Sequence, residues 1–244
     1  MLIDQCAYSN RWRAVTPAAK GIFALAGFVS AFAAGTPAAA LCIALLMSGT
    51  TIFGAGVPLA RFARAACVPF GFFLLGSVSL ACSVDYRGGD FSIVWLPNGA
   101  APVARVVARS CAALASLLFF ALTTPMIDQI ALFRRLKAPE TLIEIMVLCY
   151  RMLFVFSATL RDVHTAQDAR LGYATPKLAL RSMGSLAAGL TVQVWRRAQA
   201  LHLGAMSRNG EGPFRFLAPV FANKDRDVCF AIAAGALVLS LSCL

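Results

Sequence analysis

Two short stretches of the chain carry the same side-chain types at the same spacing. Ala166-Gln-Asp-Ala169-Arg170-Leu171-Gly172 recurs as Gly204-Ala-Met-Ser207-Arg208-Asn209-Gly210, and each reads small-x-x-small-Arg-x-Gly. Residues three apart share one helix face, and small ones there let another backbone come close. The arginine beside them offers a planar fork of donors that matches a carboxylate. The glycine falls where a helix is expected to stop. This pattern suits recognition of acidic groups at two equivalent partner surfaces. The plainer account is two basic helix ends that favour the macrodipole.

Catalytic chemistry finds little to build on. The sequence has no GxxxxGK[ST] phosphate loop, no GxSxG elbow and no HExxH helix. His164 and His202 are the only histidines, and each fits a solvated surface position. Met146, Met152 and Met206 fit packing better than soft-metal ligation. None of the eight cysteines forms a CxxC pair, so neither a zinc site nor a disulfide framework is expected. Their apolar surroundings predict small buried hydrophobes.

The elements that must position the repeat are membrane helices. The 244 residues are 59% hydrophobic and 14% charged, with a mean hydropathy of +0.74. A soluble domain is about 45–50% apolar and about 25% charged. The expected fold class is therefore an all-α membrane protein of about five transmembrane helices with a cytoplasmic helical coupling domain. Spans are expected near residues 18–34, 38–57, 65–84, 103–122 and 228–244, each close to the length needed to cross a bilayer. The first, after Arg11, Arg13 and Lys20, is read as a retained helix rather than a cleaved signal. The organisation is an N-terminal membrane domain over 1–122, a coupling domain over 123–227 and a C-terminal span over 228–244.

Charge sets the orientation. The net charge is +11, and Lys and Arg resist translocation. The N-terminal segment and the connection with Arg61 and Arg64 stay inside. Asp85 to Gly99, with two Asp against one Arg, lies outside. Arg105 and Arg109 fall near the outer face, where long side chains reach the headgroups. Fourteen Lys and Arg lie between Thr123 and Asp227. Apolar residues there recur at helical spacing: Ile143, Met146, Val147, Tyr150, Leu153 and Phe154 form one stripe, Leu186, Leu190, Val194 and Leu201 another. Pro125, Pro139 and Pro176 mark helix starts. Residues 143–158, apolar apart from Glu144 and Arg151, also fit a helix lying in the membrane interface.

The repeat resembles the paired Ala-Arg-Gly signatures of the transmembrane (T) component of energy-coupling-factor transporters, of which the CbiQ-type cobalt transporters are the most similar subfamily. Thr16-Pro17-Ala18-Ala19-Lys20 resembles that family's Asp-Pro-Arg-x-Lys before helix one. Thr123-Thr124-Pro125 resembles its Thr-Thr-Pro, and Pro139 with Tyr150-Arg151 its Pro-then-Tyr-Arg spacing. The match departs from the pattern at the glycines. Leu171 and Asn209 follow the arginines, and Gly172 and Gly210 come one place late.

The resemblance implies a non-catalytic coupling subunit that binds no cofactor itself. Its implied partners are two ATPase subunits of the ATP-binding-cassette type, which use the ATP, and a substrate-binding membrane subunit; nucleic acid is not among them. Ala169, Arg170, Leu171, Gly172, Ser207, Arg208, Asn209 and Gly210 become the expected ATPase-coupling residues. Cobalt is the implied substrate, with nickel or a vitamin as alternatives. An ion-coupled secondary transporter is the rival class. It usually needs an intramembrane acid, and the spans drawn above contain no Asp or Glu before Asp85.

Overall fold

The computed structural model describes residues 2–87, 90–95, 100–208 and 224–242. The chain is a multi-pass, all-α membrane protein apart from one small hairpin. Two compact units are present: residues 1–132 with 218–244, and residues 133–217.

The first unit opens with α1 (Leu2–Ser9) and a 3-10 turn (Arg11–Ala14), followed by α2 (Pro17–Ala33). α3 (Pro37–Gly49) starts on a proline, with the Thr36 hydroxyl accepting from the Ala39 amide at 3.3 Å, and runs on through a π-helical turn, Thr50–Gly54. α4 (Leu59–Ala81) starts just after Pro58, six residues before the span expected there. The Arg61 and Phe62 amides bond the Pro58 carbonyl, so Arg61 and Arg64 lie inside the helix rather than in a connecting loop. The polar stretch expected outside contains antiparallel strands β1 (Cys82–Arg87) and β2 (Asp90–Trp95), with Cys82 opposite Trp95 and Arg87 opposite Asp90. α5 (Ala100–Thr123) and α9 (Lys224–Ser242) complete the bundle.

α5 is the central column, in contact with α1, α2, α3 and α4, and α9 lies along α2. The core is built from small residues around one large one. Phe119 meets the rings of Phe23 at 5.2 Å and Trp12 at 5.9 Å, edge to face. Gly27 sets the spacing of three helices, since a Cβ there would stand 2.8 Å from Ser116 Oγ and 2.9 Å from Met47 Cε. Outward faces are apolar: Phe53 is 83% and Val68 80% exposed. Such faces suit a bilayer, where burial within the protein is not what shelters them from water. The same logic corrects the expectation for cysteine. Cys6 is buried and Cys111 half-buried, but Cys42, Cys67 and Cys229 are exposed on these helices, as is Cys149 in the second unit. Cys82 and Cys243 lie outside the described side chains. Arg109 reaches not to headgroups but to the end of α2, where it donates to the Ala34 carbonyl at 2.9 Å. Arg105 is exposed.

α6 (Met126–Arg135) begins in the first unit directly after Pro125. The second unit contains α7 (Glu140–Asp168) and α8 (Pro176–Met206). These start at Pro139 and Pro176 as the sequence predicts, and Thr175 Oγ1 accepts from the Leu178 amide at 3.3 Å. The α7 stripe is partly as expected: Ile143 is buried and Met146, Val147 and Tyr150 half-buried, but Leu153 and Phe154 are exposed. On α8, Leu186 and Leu190 are half-buried, whereas Val194 and Leu201 are exposed.

Among the described residues, four helical segments are long and apolar enough to cross a membrane: Pro37–Gly54, Leu59–Ser77, Val103–Thr123 and Glu140–Asp168. α2 is apolar but shorter. α9 is not among the four. The first two turns of α9 hold Lys224, Asp225, Arg226 and Asp227, which shortens its uncharged stretch. α7 is the segment not drawn as a span from the sequence, where its stripes placed it in the coupling domain or along the interface.

Candidate functional site

The first Arg signature sits on a tightly specified turn. α7 ends as the Ala169 amide bonds the Thr165 carbonyl at 3.0 Å and the Arg170 amide the Gln167 carbonyl at 3.1 Å. The Leu171 amide then bonds Asp168 O at 2.9 Å, and the Gly172 amide bonds Gln167 O at 2.9 Å. This pair is the Schellman arrangement, which needs a left-handed residue between helix and exit. Leu171 fills it, with φ of 57°. The family's glycine belongs at this position, while Gly172 has a different task. A Cβ on Gly172 would lie 2.7 Å from Ser182 Oγ and 2.9 Å from Gln167 O, so the chain passes too close to α8 for a larger residue.

Around the turn the side chains form a closed network. Gln167 Nε2 donates to Ser182 O at 3.1 Å and to Ser185 Oγ at 3.0 Å. Tyr173 Oη donates to Gln167 Oε1 at 2.8 Å, and Ser182 Oγ donates to Gly172 O at 2.9 Å. His164 stacks on Tyr173 with ring centroids 4.7 Å apart. Arg170 itself is exposed and makes no side-chain hydrogen bond or ion pair to a described residue.

The second signature follows α8 with the same backbone geometry for as far as it is described. The Ser207 amide bonds Leu203 O at 3.0 Å and the Arg208 amide Ala205 O at 3.1 Å, matching Ala169 and Arg170 bond for bond. Ser207 has φ −65° and ψ −19°, against −60° and −22° at Ala169. Arg208 is exposed. Asn209 and Gly210 lie outside the described residues. The two arginines are not brought together. They flank the 31 residues of α8, a rise of about 45 Å at 1.5 Å per residue.

A second polar constellation lies in the first unit, where two of the motif stretches meet. Lys20, only 2% exposed, donates from Nζ to the Thr123 carbonyl at 3.0 Å. Asn10 Nδ2 donates to the carbonyls of Ala7, Leu122 and Thr123. Asp128, in the first turn of α6, is 1% exposed and pairs with Arg13. Asp227 Oδ2 accepts the Thr16 amide at 3.1 Å, which ties α9 to the start of α2. Lys20 and Arg13 are the cations of this junction, Asp128 and Asp227 its anions. Two cations and two anions thus balance at the junction of α2, α5, α6 and α9. Asn10 Oδ1, Thr16 Oγ1, Thr124 Oγ1 and Asp128 Oδ1 are buried there without a partner among the described residues, as sites for ordered water would be. Asp128 and Asp227 escaped the sequence reading, as did Gln167 and Tyr173. The one signal available was a carboxylate just after each of two helix starts in a strongly basic region.

Among the described residues no three His, Cys, Asp or Glu side chains gather into a group that could hold a metal ion. Tyr150, half-buried, meets Phe154 edge to face at 5.1 Å, and Arg151 beside it is exposed.

A family model described as CbiQ, cobalt transport protein, matches residues 9–216, a stretch that includes both Arg signatures and most of the buried junction. The cobalt transport protein CbiQ of Rhodobacter capsulatus is 35% identical over 216 residues, covering 88% of this chain and 86% of that one. An uncharacterized protein of Methanocaldococcus jannaschii is 32% identical over 222 residues, covering 88% and 83%. The cobalt transport protein CbiQ of Salmonella typhimurium is 27% identical over 208 residues, covering 82% and 92%. The chain belongs to the CbiQ family of cobalt transport proteins.

Proposed function

We propose that this chain is the transmembrane coupling subunit of an ATP-driven energy-coupling-factor importer, with cobalt ions as substrate. Arg170 and Arg208 each seat in a groove of one of two ATPase subunits, with Ala169 and Ser207 allowing close approach. A separate membrane subunit binds the substrate, and this chain transmits ATPase movement to it without hydrolysing ATP itself. The domains follow as a membrane part over 1–122, a cytoplasmic coupling part over 123–227 and a last span over 228–244.

The observation that carries the reading is the matched pair of helix ends. Two exposed arginines follow helix ends of equal geometry at opposite ends of one long helix. A single acidic site would need them together; two like subunits side by side would need them apart. The secondary-transporter rival gains nothing from the buried acid, because Asp128 is neutralised by Arg13 rather than free to take up an ion.

The test is a pull-down of the ATPase with wild-type and Arg170→Ala/Arg208→Ala chains, paired with Co2+ uptake in vesicles. Loss of both with normal membrane insertion is expected. Full binding and full uptake by the double variant would overturn the assignment and leave two basic helix ends.

A further inference from the structure

We infer that Gln167 is a positioning residue that fixes the angle between α7 and α8 and thereby aims Arg170, an inference that rests on the coupling reading above. No other described residue joins the two helices by so many bonds. Its carbonyl accepts the Arg170 and Gly172 amides, so it forms the turn that presents the arginine. Its side chain accepts from Tyr173 and donates to Ser182 O and Ser185 Oγ on α8. Backbone and side chain of one residue thus hold the end of α7, the exit from the turn and the first turns of α8. Ser182 closes the ring through Gly172 O.

The repeat makes the inference sharper. Gln167 aligns with Ala205, and Asp168 with Met206. Alanine has no side-chain donor or acceptor, so the second signature cannot have a brace of this kind at the matching position. A polar amide at one copy and a methyl at the other is not what helix termination alone requires, since as far as Arg208 both helices end with the same backbone bonds. The brace belongs to the site where two helices must keep a fixed relation. Movement of a partner at Arg170 then reaches α8 as rotation of a rigid elbow. Without the brace the elbow flexes and absorbs it.

The test uses the full chain in nanodiscs, on a background lacking native cysteines, with nitroxide labels at exposed Leu160 and Val192. Pulsed electron resonance should give one narrow distance distribution in the parent. Gln167→Leu should broaden it, Tyr173→Phe less so, and Thr191→Ala, which loses only a bond within α8, not at all. In the assembled transporter, ATP hydrolysed per Co2+ imported should rise about fivefold for Gln167→Leu, the population change worth roughly one net hydrogen bond. That ratio is normalised per working complex, so a simple loss of folded protein would not move it. A parent-like distribution and ratio in Gln167→Leu would overturn the inference. If Arg170→Ala/Arg208→Ala still lost ATPase binding, the failure would be confined to Gln167; if that variant also bound normally, the coupling reading would fall with it.

Discussion

Charge is handled in opposite ways by the two units. In residues 1–132 with 218–244, Lys20 and Asp128 are almost fully buried, and they meet Arg13 and Asp227 in a balanced cluster. In residues 133–217 every described Lys and Arg is exposed, Arg170 and Arg208 included. Particular glycines differ too. Gly27 and Gly235 stand at helix contacts, with 2.8 Å to Ser116 Oγ and 2.9 Å to Ala26 Cβ for an added methyl, whereas Gly184, Gly189 and Gly204 on α8 have nothing within 4 Å. The first unit draws these charges together in its interior, as suits a body surrounded by lipid. The second leaves its Lys and Arg side chains and the glycines of α8 open, as a surface awaiting a partner would.

The largest effect should come from breaking the buried charge balance. Asp128→Asn leaves Arg13 and Lys20 facing one acid instead of two. Breaking a buried pair costs about 3–5 kcal/mol. Arg13 is 38% exposed and can turn to water, so the lower end, about 3 kcal/mol, is expected here. Thermal unfolding in detergent should show a large fall in midpoint. Arg13→Ala should cost less, because Lys20 remains to face Asp128. A fall for Asp128→Asn no greater than for Arg151→Ala, an exposed charge in the second unit, would mean that the cluster is not a structural centre.

In the second unit the matching experiment should spare stability and strike binding. Truncating an interface arginine typically costs about 2 kcal/mol or more in affinity. Arg170→Ala or Arg208→Ala should weaken ATPase capture accordingly, with an unchanged unfolding midpoint. Lys at either position should rescue only in part, since it keeps charge but not the planar fork. Arg226→Ala removes equal charge outside the repeat and loses only a contact with the Phe230 ring at 5.7 Å. It should leave capture near the wild-type level, and a comparable loss there would mean that net charge rather than placement is read.

What could be read from the sequence follows the same division. Helix starts at Pro125, Pro139 and Pro176 and the repeat itself rest on local chemistry, and local chemistry is visible in one dimension. The junction of Lys20, Thr123, Asp128 and Asp227 is not local. Its members run from Lys20 to Asp227, and each looks like an ordinary polar residue near a helix end until the helices are assembled. Arg109 misled for a related reason. Its place near the start of a long apolar helix was legible, but the Ala34 carbonyl that takes its hydrogen bond was not. Burial of the cysteines was misjudged because apolar surroundings predict contact with something apolar, and in a membrane protein that can be lipid.

Glycine offers a test in which the sign of the effect should change between the units. Gly27→Ala must displace Met47 or Ser116, both fully buried, and overpacking of this kind costs about 1–3 kcal/mol. Gly189→Ala meets open space in the interior of α8. It should raise helix stability by roughly 0.5–1 kcal/mol, the usual difference between the two residues. Hydrogen exchange along α8 would report the gain, and unfolding in detergent the loss. Equal signs at the two positions would contradict the contrast in packing.

The smallest expected effect concerns Leu171. It is the one residue of the first signature held at positive φ, and its side chain is 72% exposed. A left-handed conformation costs an L-residue about 1–2 kcal/mol. Glycine there escapes that strain but loses more freedom on folding, by roughly 0.5–1 kcal/mol. The net expectation for Leu171→Gly is stabilisation of the turn by about 0.5–1 kcal/mol, because little packing is lost with an exposed side chain. Leu171→Ala keeps the strain and should be neutral, so the pair separates backbone from side chain. Slower amide exchange at Gly172, whose amide closes the turn on the Gln167 carbonyl, is the measurement that resolves so small a change. If both variants slowed exchange equally, the leucine side chain rather than the left-handed backbone would be the source of strain. If Leu171→Gly stabilised the turn yet weakened ATPase capture, the exposed leucine would itself be part of the docking surface, and that would explain its presence where the family pattern has glycine.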